Sequence, residues 1–546
     1  MNMIKNSLVN ANKASHESSA LVIPDGSTAV KGGFWVSVDE LETITKPCQP
    51  VYMKDGKILM YPESHVLYHG STGTGKSTVI YDNSIDINSR LPKGIRSSMI
   101  IFDVKGDLYS RHAKRLSERG FKVSSFNMRR PFAAERYNPL AAIYDDYTES
   151  ISIKKRLSSA DPDDSFNGKK YESYAALASA ATERYMYLND KATKRISEIS
   201  ETLINSSDPK NLQWADGARN CLRAILHTML EDSQKEKTGM CREKFTLANM
   251  CRVAFSTHED CKPLIQYLER SKHIRVVSGA LGSCYNISAK ITRDGYISSI
   301  NSELNKLSSD SIGALTGGSE IDINELTSNE DFALFIITDD TDKASNSIGT
   351  MMLNDIINAL IKKADDNPRH CLDKDVIVYA DEFGNFPALP NMSERISTLR
   401  SRRIWLKMAI QSFEQLVRIY GSDTTSTIIE NCDLQLMLGC NNAETKRNFC
   451  ESMGMHSVPK SSVSIDAFGV ATETVVTEDT HVVKCSDIDS LKLGEFFLKA
   501  RGAANLKSFM TPYFLRDDVT MDSVSWVGKY NGFDPGRKRL RYRPCS

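Results

Sequence analysis

The chain has 546 residues, enough for more than one core, and an ordinary globular balance of 40% hydrophobic and 25% charged residues. Lys plus Arg number 69 and Asp plus Glu 69, so the charge balance speaks neither for nor against a polyanionic partner, and a nucleic-acid surface would be a local patch. The twelve cysteines are scattered, and Cys241, Cys251 and Cys261 lie ten residues apart rather than in the close pairs of zinc sites, so reduced thiols are expected.

The first residues, "MNMIKNSLVNANKASHESSALVIPDG", are polar and show no signal-peptide core, and no run reaches the length of a membrane span. A cytoplasmic protein without an intrinsic membrane anchor is expected, able to reach the membrane through partners. Residues 1–50 read as a partly disordered segment with a short strand and turn at "GGFWVSVDEL".

From residue 51 the pattern sharpens. The apolar "SHVLYHG" reads as a strand running into a glycine-rich loop, and "KSTVIYDNSIDI" as the helix after it. "SSMIIFDV" reads as a buried strand, "LYSRHAKRLSERG" as a helix and "FKVSSFN" as another strand. This alternation predicts a mostly parallel α/β sheet. Between residues 146 and 299 the apolar spacing turns helical, as in "WADGARNCLRAILHTMLED", and an all-α insertion is expected. Strands return at "FALFIIT", "DVIVYADE", "IWLKMAIQS" and "LQLMLGC". The expected sheet domain is therefore discontinuous, 51–145 and 300–520. Within it, "HSVPKSSVSIDAFGVATETVVTEDT" reads as a polar hairpin, and "LGEFFLKARG" and "LKSFMTPYF" as closing edge strands. Residues 521–546 form a basic tail.

Gly70, Ser71, Thr72, Gly73, Thr74, Gly75, Lys76 and Ser77 fit the phosphate-loop pattern, with Thr78 next in the helix. Its glycines let backbone N–H groups turn in around phosphate oxygens, and the following helix adds its positive end. Lys76 would reach the β and γ phosphates and Ser77 would hold Mg²⁺. Asp381 and Glu382 end an apolar strand, where open parallel sheets bind ligands. Asp381 suits Mg²⁺ coordination and Glu382 suits deprotonating the attacking water, a helix cap being the plainer alternative. Gln411 ends the next strand and could sense the γ-phosphate or cap a helix. Arg400, Arg402 and Arg403 precede that strand, either as cations at a helix end or as a source of an arginine finger. Asp103 and Lys105 end another strand, with a simple turn on Gly106-Asp107 as the alternative.

The phosphate loop, "DVKGDLY", "RYNPL", the helical insertion, "GGSEIDINEL", "YADEFGNF", "IQSFEQLVRIYG", "TIIENCDLQLMLG" and "KCSDIDSLKLGEFFLKARG" follow one another in that order. The set resembles the conjugative coupling proteins, the VirD4/TraG/TraD class of type IV secretion ATPases, over about residues 60–515. The resemblance implies a RecA-like P-loop NTPase with a mounted all-α domain. It also implies ring hexamers that use ATP and Mg²⁺ to move single-stranded DNA, with an attached relaxase, into a secretion channel. It assigns ATPase roles to Lys76, Ser77, Asp381, Glu382 and Gln411 and places the arginine finger at Arg400. It gives substrate and relaxosome binding to 146–299. Typical members begin with two membrane-spanning helices, and this chain reads as the soluble variant, monomeric when isolated. Export of protein effectors, or an ATP-switched adaptor, are the other functions the pattern admits.

Overall fold

The structure is a computed structural model that describes residues 21–22, 24, 32–157, 173–204, 212–256, 261–271, 290–328, 331–339, 343–465, 471–519, 531–532 and 534. The expectations for residues 1–20 and for most of the basic tail fall outside these residues. The described chain opens with a small antiparallel sheet of β1 (Phe34–Ser37), β2 (Cys48–Lys54) and β3 (Lys57–Pro62), in order β1-β3-β2. The strand and turn expected at "GGFWVSVDEL" are β1 and the 3₁₀ turn Val38–Thr43. β2 and β3 were not expected. Pro50 inside β2 weakens its strand signal, and the register shifts beside it.

The main sheet holds β4 (Val66–Gly70), β5 (Ser98–Asp103), β6 (Lys122–Asn127), β7 (Phe332–Ile337), β8 (Val376–Ala380), β9 (Ile404–Ile410) and β10 (Leu434–Gly439), all mutually parallel. β11 (Met455–Ile465) and β12 (Ala471–His481) form the expected hairpin. β13 (Glu495–Ala500) and β14 (Leu506–Phe509) close one edge antiparallel, and the nine-stranded order is β14-β13-β10-β4-β9-β8-β5-β7-β6. The inner parallel strands are mostly apolar because both faces are covered, whereas the edge strand β6, KVSSFN, is largely polar and partly exposed. Ile100 and Phe102 point into one core, Met99 and Ile101 into the other.

α1 (Asp82–Arg90) follows β4 and α2 (Asp107–Glu118) follows β5. Between β6 and β7 the described residues form helices and turns, with no strand. These helices are α3 (Ala141–Leu157), α4 (Tyr174–Leu203), α5 (Leu212–Asp232), α6 (Leu247–Ala254), α7 (Lys262–Glu269), α8 (Lys290–Asn305), α9 (Asp310–Thr316) and α10 (Ile323–Ser328). α11 (Lys343–Asp365) follows β7 and α12 (Met392–Ser401) precedes β9. α13 (Phe413–Tyr420) and α14 (Ser422–Asn431) lie between β9 and β10, α15 (Ala443–Ser452) follows β10, and α16 (Cys485–Asp489) follows the hairpin.

The insertion shares its apolar core with one face of the sheet. A buried polar network crosses the same boundary. Glu198 of α4 accepts from Asn354 Nδ2 at 2.8 Å and Asn358 Nδ2 at 3.1 Å on α11. Arg395 of α12 lies 3.6 Å from Glu198 and donates to both asparagine side-chain oxygens. A buried ion pair gives little net stability when intact, but removing one partner strands the other charge. Glu198→Ala is therefore expected to cost about 3 kcal/mol in urea unfolding, and Glu198→Gln somewhat less, because it still bonds the asparagines although it too leaves Arg395 without a counter-charge. Equal stability of Glu198→Ala and wild type would show that Arg395 finds another partner.

Candidate nucleotide-binding site

β4 is buried along its whole length and delivers Gly70 to the sheet's C-terminal edge. The loop that follows turns through Gly75 at φ +91°, a left-handed conformation that suits glycine. There is no room for a side chain there either, since a Cβ would lie 2.8 Å from Val79 Cγ2 and 2.9 Å from Leu493 Cδ1. The helix expected at 76–87 starts as a π turn, Lys76–Tyr81, and continues as α1. Tyr81 explains how that turn is seated. Its hydroxyl lies 3.1 Å from Ala380 O and 3.2 Å from Lys407 O, tying the end of β8 and the middle of β9 to the loop helix.

Lys76 is buried, and its ammonium donates to Gly70 O at 2.7 Å and Ser71 O at 3.2 Å. Burial pulls its pKa down, against the opposing pull of Glu382 and Asp381. Ser77 Oγ donates to Asp381 Oδ2 at 3.1 Å, joining segments 304 residues apart. The other oxygen, Asp381 Oδ1, is buried and accepts no hydrogen bond. Burial pushes the Asp381 acid up to about 6, with Glu382 and Asp103 adding to the rise and Lys76 and Ser77 opposing it. A buried carboxylate oxygen without a donor, beside a serine hydroxyl, is a donor set that fits a hard divalent cation. Ser77 and Asp381 are the residues that would hold Mg²⁺.

Glu382 leaves β8 in the left-handed region, φ +60° and ψ +43°. Its Oε2 accepts from Gln411 Nε2 at 2.9 Å and Asn385 Nδ2 at 3.0 Å. The structure thus brings Lys76, Ser77, Asp381, Glu382 and Gln411 to one edge of the sheet. Asp103 stands at the same edge, but both its oxygens are spent on backbone N–H groups, Gly106 and Tyr109 at 2.8 Å each. It braces the turn that the plainer reading expected. Lys105 is exposed beside it.

The arginines do not join this group. Arg400 lies before β9 and Gln411 after it, so the seven-residue strand separates them by roughly 20 Å. Arg400 instead grips Asp433 through both oxygens, at 3.1 and 3.0 Å. Arg402 pairs with Asp365 and Arg403 with Asp375 on that same opposite edge. Any contact of Arg400 with a nucleotide would have to be with another copy's.

Sequence reading missed four contributors. Asn385 holds Glu382, and Gln415 Oε1 accepts the Gln411 N–H at 3.0 Å. Asn441 N–H donates to Ser71 Oγ at 3.1 Å, and Leu493 lies over Gly75. Asn385, Gln415 and Leu493 carried a signal in their places within "YADEFGNF", "IQSFEQLVRIYG" and "KCSDIDSLKLGEFFLKARG", and Asn441 carried none.

One strand, β9, separates the loop strand from the acid-bearing strand, and together the fold and the site define a RecA-like P-loop NTPase. The chain belongs to the family described as Type IV secretory system Conjugative DNA transfer, which matches residues 10–485. It is a type IV coupling protein by that membership. Among solved structures it is similar to the bacterial conjugative coupling protein TrwBdeltaN70 in its unbound monoclinic form, at 15% identity over 89% of this chain and 96% of that one, with a TM-score of 0.58. TrwB in complex with the non-hydrolysable ATP analogue ADPNP is 14% identical over 90% and 96%, with a TM-score of 0.57. TrwB in complex with ADP and Mg²⁺ is 14% identical over 90% and 97%, also at 0.57. These identities establish the shared fold. No curated protein sequence matches the chain. Among the described residues no helix is long and apolar enough to cross a membrane.

The raised Asp381 acid has a measurable consequence. The folded state holds this proton more tightly than the unfolded chain does. Asp381 therefore favours folding most at low pH, and that advantage is lost as pH rises towards about 6. Between about pH 4 and pH 7, nucleotide-free Asp381→Asn should lose less urea stability than wild type, by up to roughly 3 kcal/mol. Parallel pH profiles for the two proteins would place the buried ionisation elsewhere.

Proposed function

We propose that the protein is an ATP-hydrolysing coupling protein. It recruits single-stranded DNA, alone or with an attached relaxase, and drives it toward a type IV secretion channel. The observation that carries this reading is the joining of Ser77 to Asp381 across the sheet, with Asp381 Oδ1 left for a cation, in a chain of the conjugative DNA transfer family. The TrwB complexes with ADPNP and with ADP and Mg²⁺ support ATP and Mg²⁺ as cofactors.

Each group then has a chemical task. The loop amides from Gly70 to Thr78 cradle the phosphates, and Lys76 transfers its ammonium from two carbonyls to phosphate oxygens. Ser77 and Asp381 hold Mg²⁺, which when bound neutralises charge developing on the phosphates. Glu382 accepts a proton from the attacking water, and Gln411 sets the direction of the Glu382 carboxylate. The insertion, 146–299, is the part that engages substrate and relaxosome, while the sheet domain supplies the stroke. Ring hexamers assemble from subunits that are monomeric when isolated, and membrane contact comes through partner proteins.

Lys76→Ala is expected to abolish ATP turnover with the fold retained by circular dichroism. Glu382→Gln should bind ATP with wild-type affinity and hydrolyse it at least about a hundredfold more slowly. Loss of ATP binding rather than turnover in that variant would make Glu382 structural. Arg400 can serve only a neighbouring copy. Any loss of turnover in Arg400→Ala should therefore recover in mixed assemblies with Lys76→Ala, at interfaces pairing an intact loop with an intact arginine. Co-assembly without recovery would reduce Arg400 to its ion pair with Asp433.

A further inference from the structure

Asn385 links the candidate base to a second feature of the molecule. After Glu382 the chain makes one 3₁₀ turn, Phe383–Asn385, closed by the Asn385 N–H donating to Glu382 O at 2.8 Å. That turn swings the Asn385 amide back onto the carboxylate three residues earlier, where Nδ2 donates to Oε2 at 3.0 Å. Gln411 Nε2 donates to the same oxygen at 2.9 Å. The turn has no slack on its inner side. A Cβ on Gly384 would lie 2.6 Å from Gln415 Oε1, the atom that also receives the Gln411 N–H.

On its outer side only Asn385 reaches solvent, its carbonyl accepting from Asn346 Nδ2 at 3.5 Å while Phe383 and Phe386 stay buried. Asn385 is exposed and lines a cleft of about 690 Å³ between the sheet domain and the insertion. The opposite wall is the end of α4 at Thr202 and Leu203, the end of α8 at Glu303, and Lys306 and Leu307 just after it. One residue therefore touches both the carboxylate and the cleft through which the insertion faces the site.

A carboxylate acts as a base through an oxygen that can be turned toward water and has a lone pair to receive the proton. Two amide donors on Glu382 Oε2 commit that oxygen and fix the carboxylate plane. We propose that Asn385 is a positioning residue that restrains Glu382, and that closure of the cleft by the insertion withdraws the Asn385 amide and frees the base. This deepens the reading of Glu382 as base and rests on it.

The test uses the full-length protein, with steady-state ATP turnover measured with and without a single-stranded oligonucleotide. Asn385→Ala should raise the oligonucleotide-free kcat about fivefold, the population change worth one net hydrogen bond, and leave KM within about twofold. The oligonucleotide should then add little. Asn385→Gln, which keeps an amide donor, should fall between wild type and Asn385→Ala. A kcat at or below wild type in Asn385→Ala, with Glu382→Gln inactive, overturns the restraint and leaves the site's assignment standing. Wild-type turnover in Glu382→Gln overturns both. If Asn385→Ala fails to fold, Asn385→Leu, close in size, uncharged and unable to donate, decides by the same criteria.

Discussion

The site depends on the parallel register of three strands. β9 pairs with β4 on one side and with β8 on the other. Because parallel strands run together, Gly70, Ala380 and Ile410 all finish at one edge, and the residues after them meet. The contact between Ser77 and Asp381 is the product of that register. The middle strand is itself pinned from below. Lys407, fully buried in β9, pairs with the equally buried Glu63 at 2.9 Å and lies over the Tyr379 ring. Such a pair adds little stability, but a one-residue slip of β9 would strand both charges in an apolar core. Register, and with it the site, is enforced by that penalty.

Buried polar contacts likewise tie the helices between β6 and β7 to the elements that carry the site. Glu198 reaches α12 through Arg395, and Tyr137 donates to the buried Asp355 of α11 at 2.6 Å. α12 follows the Phe383–Asn385 turn within a few residues and leads directly into β9. A shift of α4 would therefore load the segment between Asp381 and Gln411 from a side where polar contacts leave few alternative partners. The cleft beside Asn385 is where that boundary is open rather than packed.

Much of this was legible in the sequence. The inner main-sheet strands are runs whose apolar character follows from burial on both faces, and such runs read plainly, while the polar edge strand β6 was legible from the alternation around it. β2 and β3 were missed because Pro50 and the Asp55-Gly56 turn read as a loop, and their partners lie within one small sheet. The π turn was unreadable, since it is set by the tertiary contacts of Tyr81. The restraint on Glu382 was hidden because nothing in an Asp-Glu pair announces a left-handed backbone. The opposite-edge position of Arg400 was available from the sequence. It precedes the strand that Gln411 follows, and a strand has two ends.

The charge inventory of the edge adds a constraint on the ligand. Lys76 and Lys105 face Asp103, Asp381 and Glu382, so the ionised site carries more negative than positive charge. Asp103 is neutralised only in the sense that two backbone N–H groups hold its oxygens. A polyphosphate approaching this edge brings further negative charge next to a buried acid already raised by burial. Lys76 offsets one charge and cannot offset the rest, and the loop amides contribute partial charges alone. A divalent cation arriving with the polyphosphate converts that repulsion into attraction, and it gives Asp381 Oδ1 the partner it otherwise lacks. An edge of this charge would favour a metal-bound nucleotide over a free one.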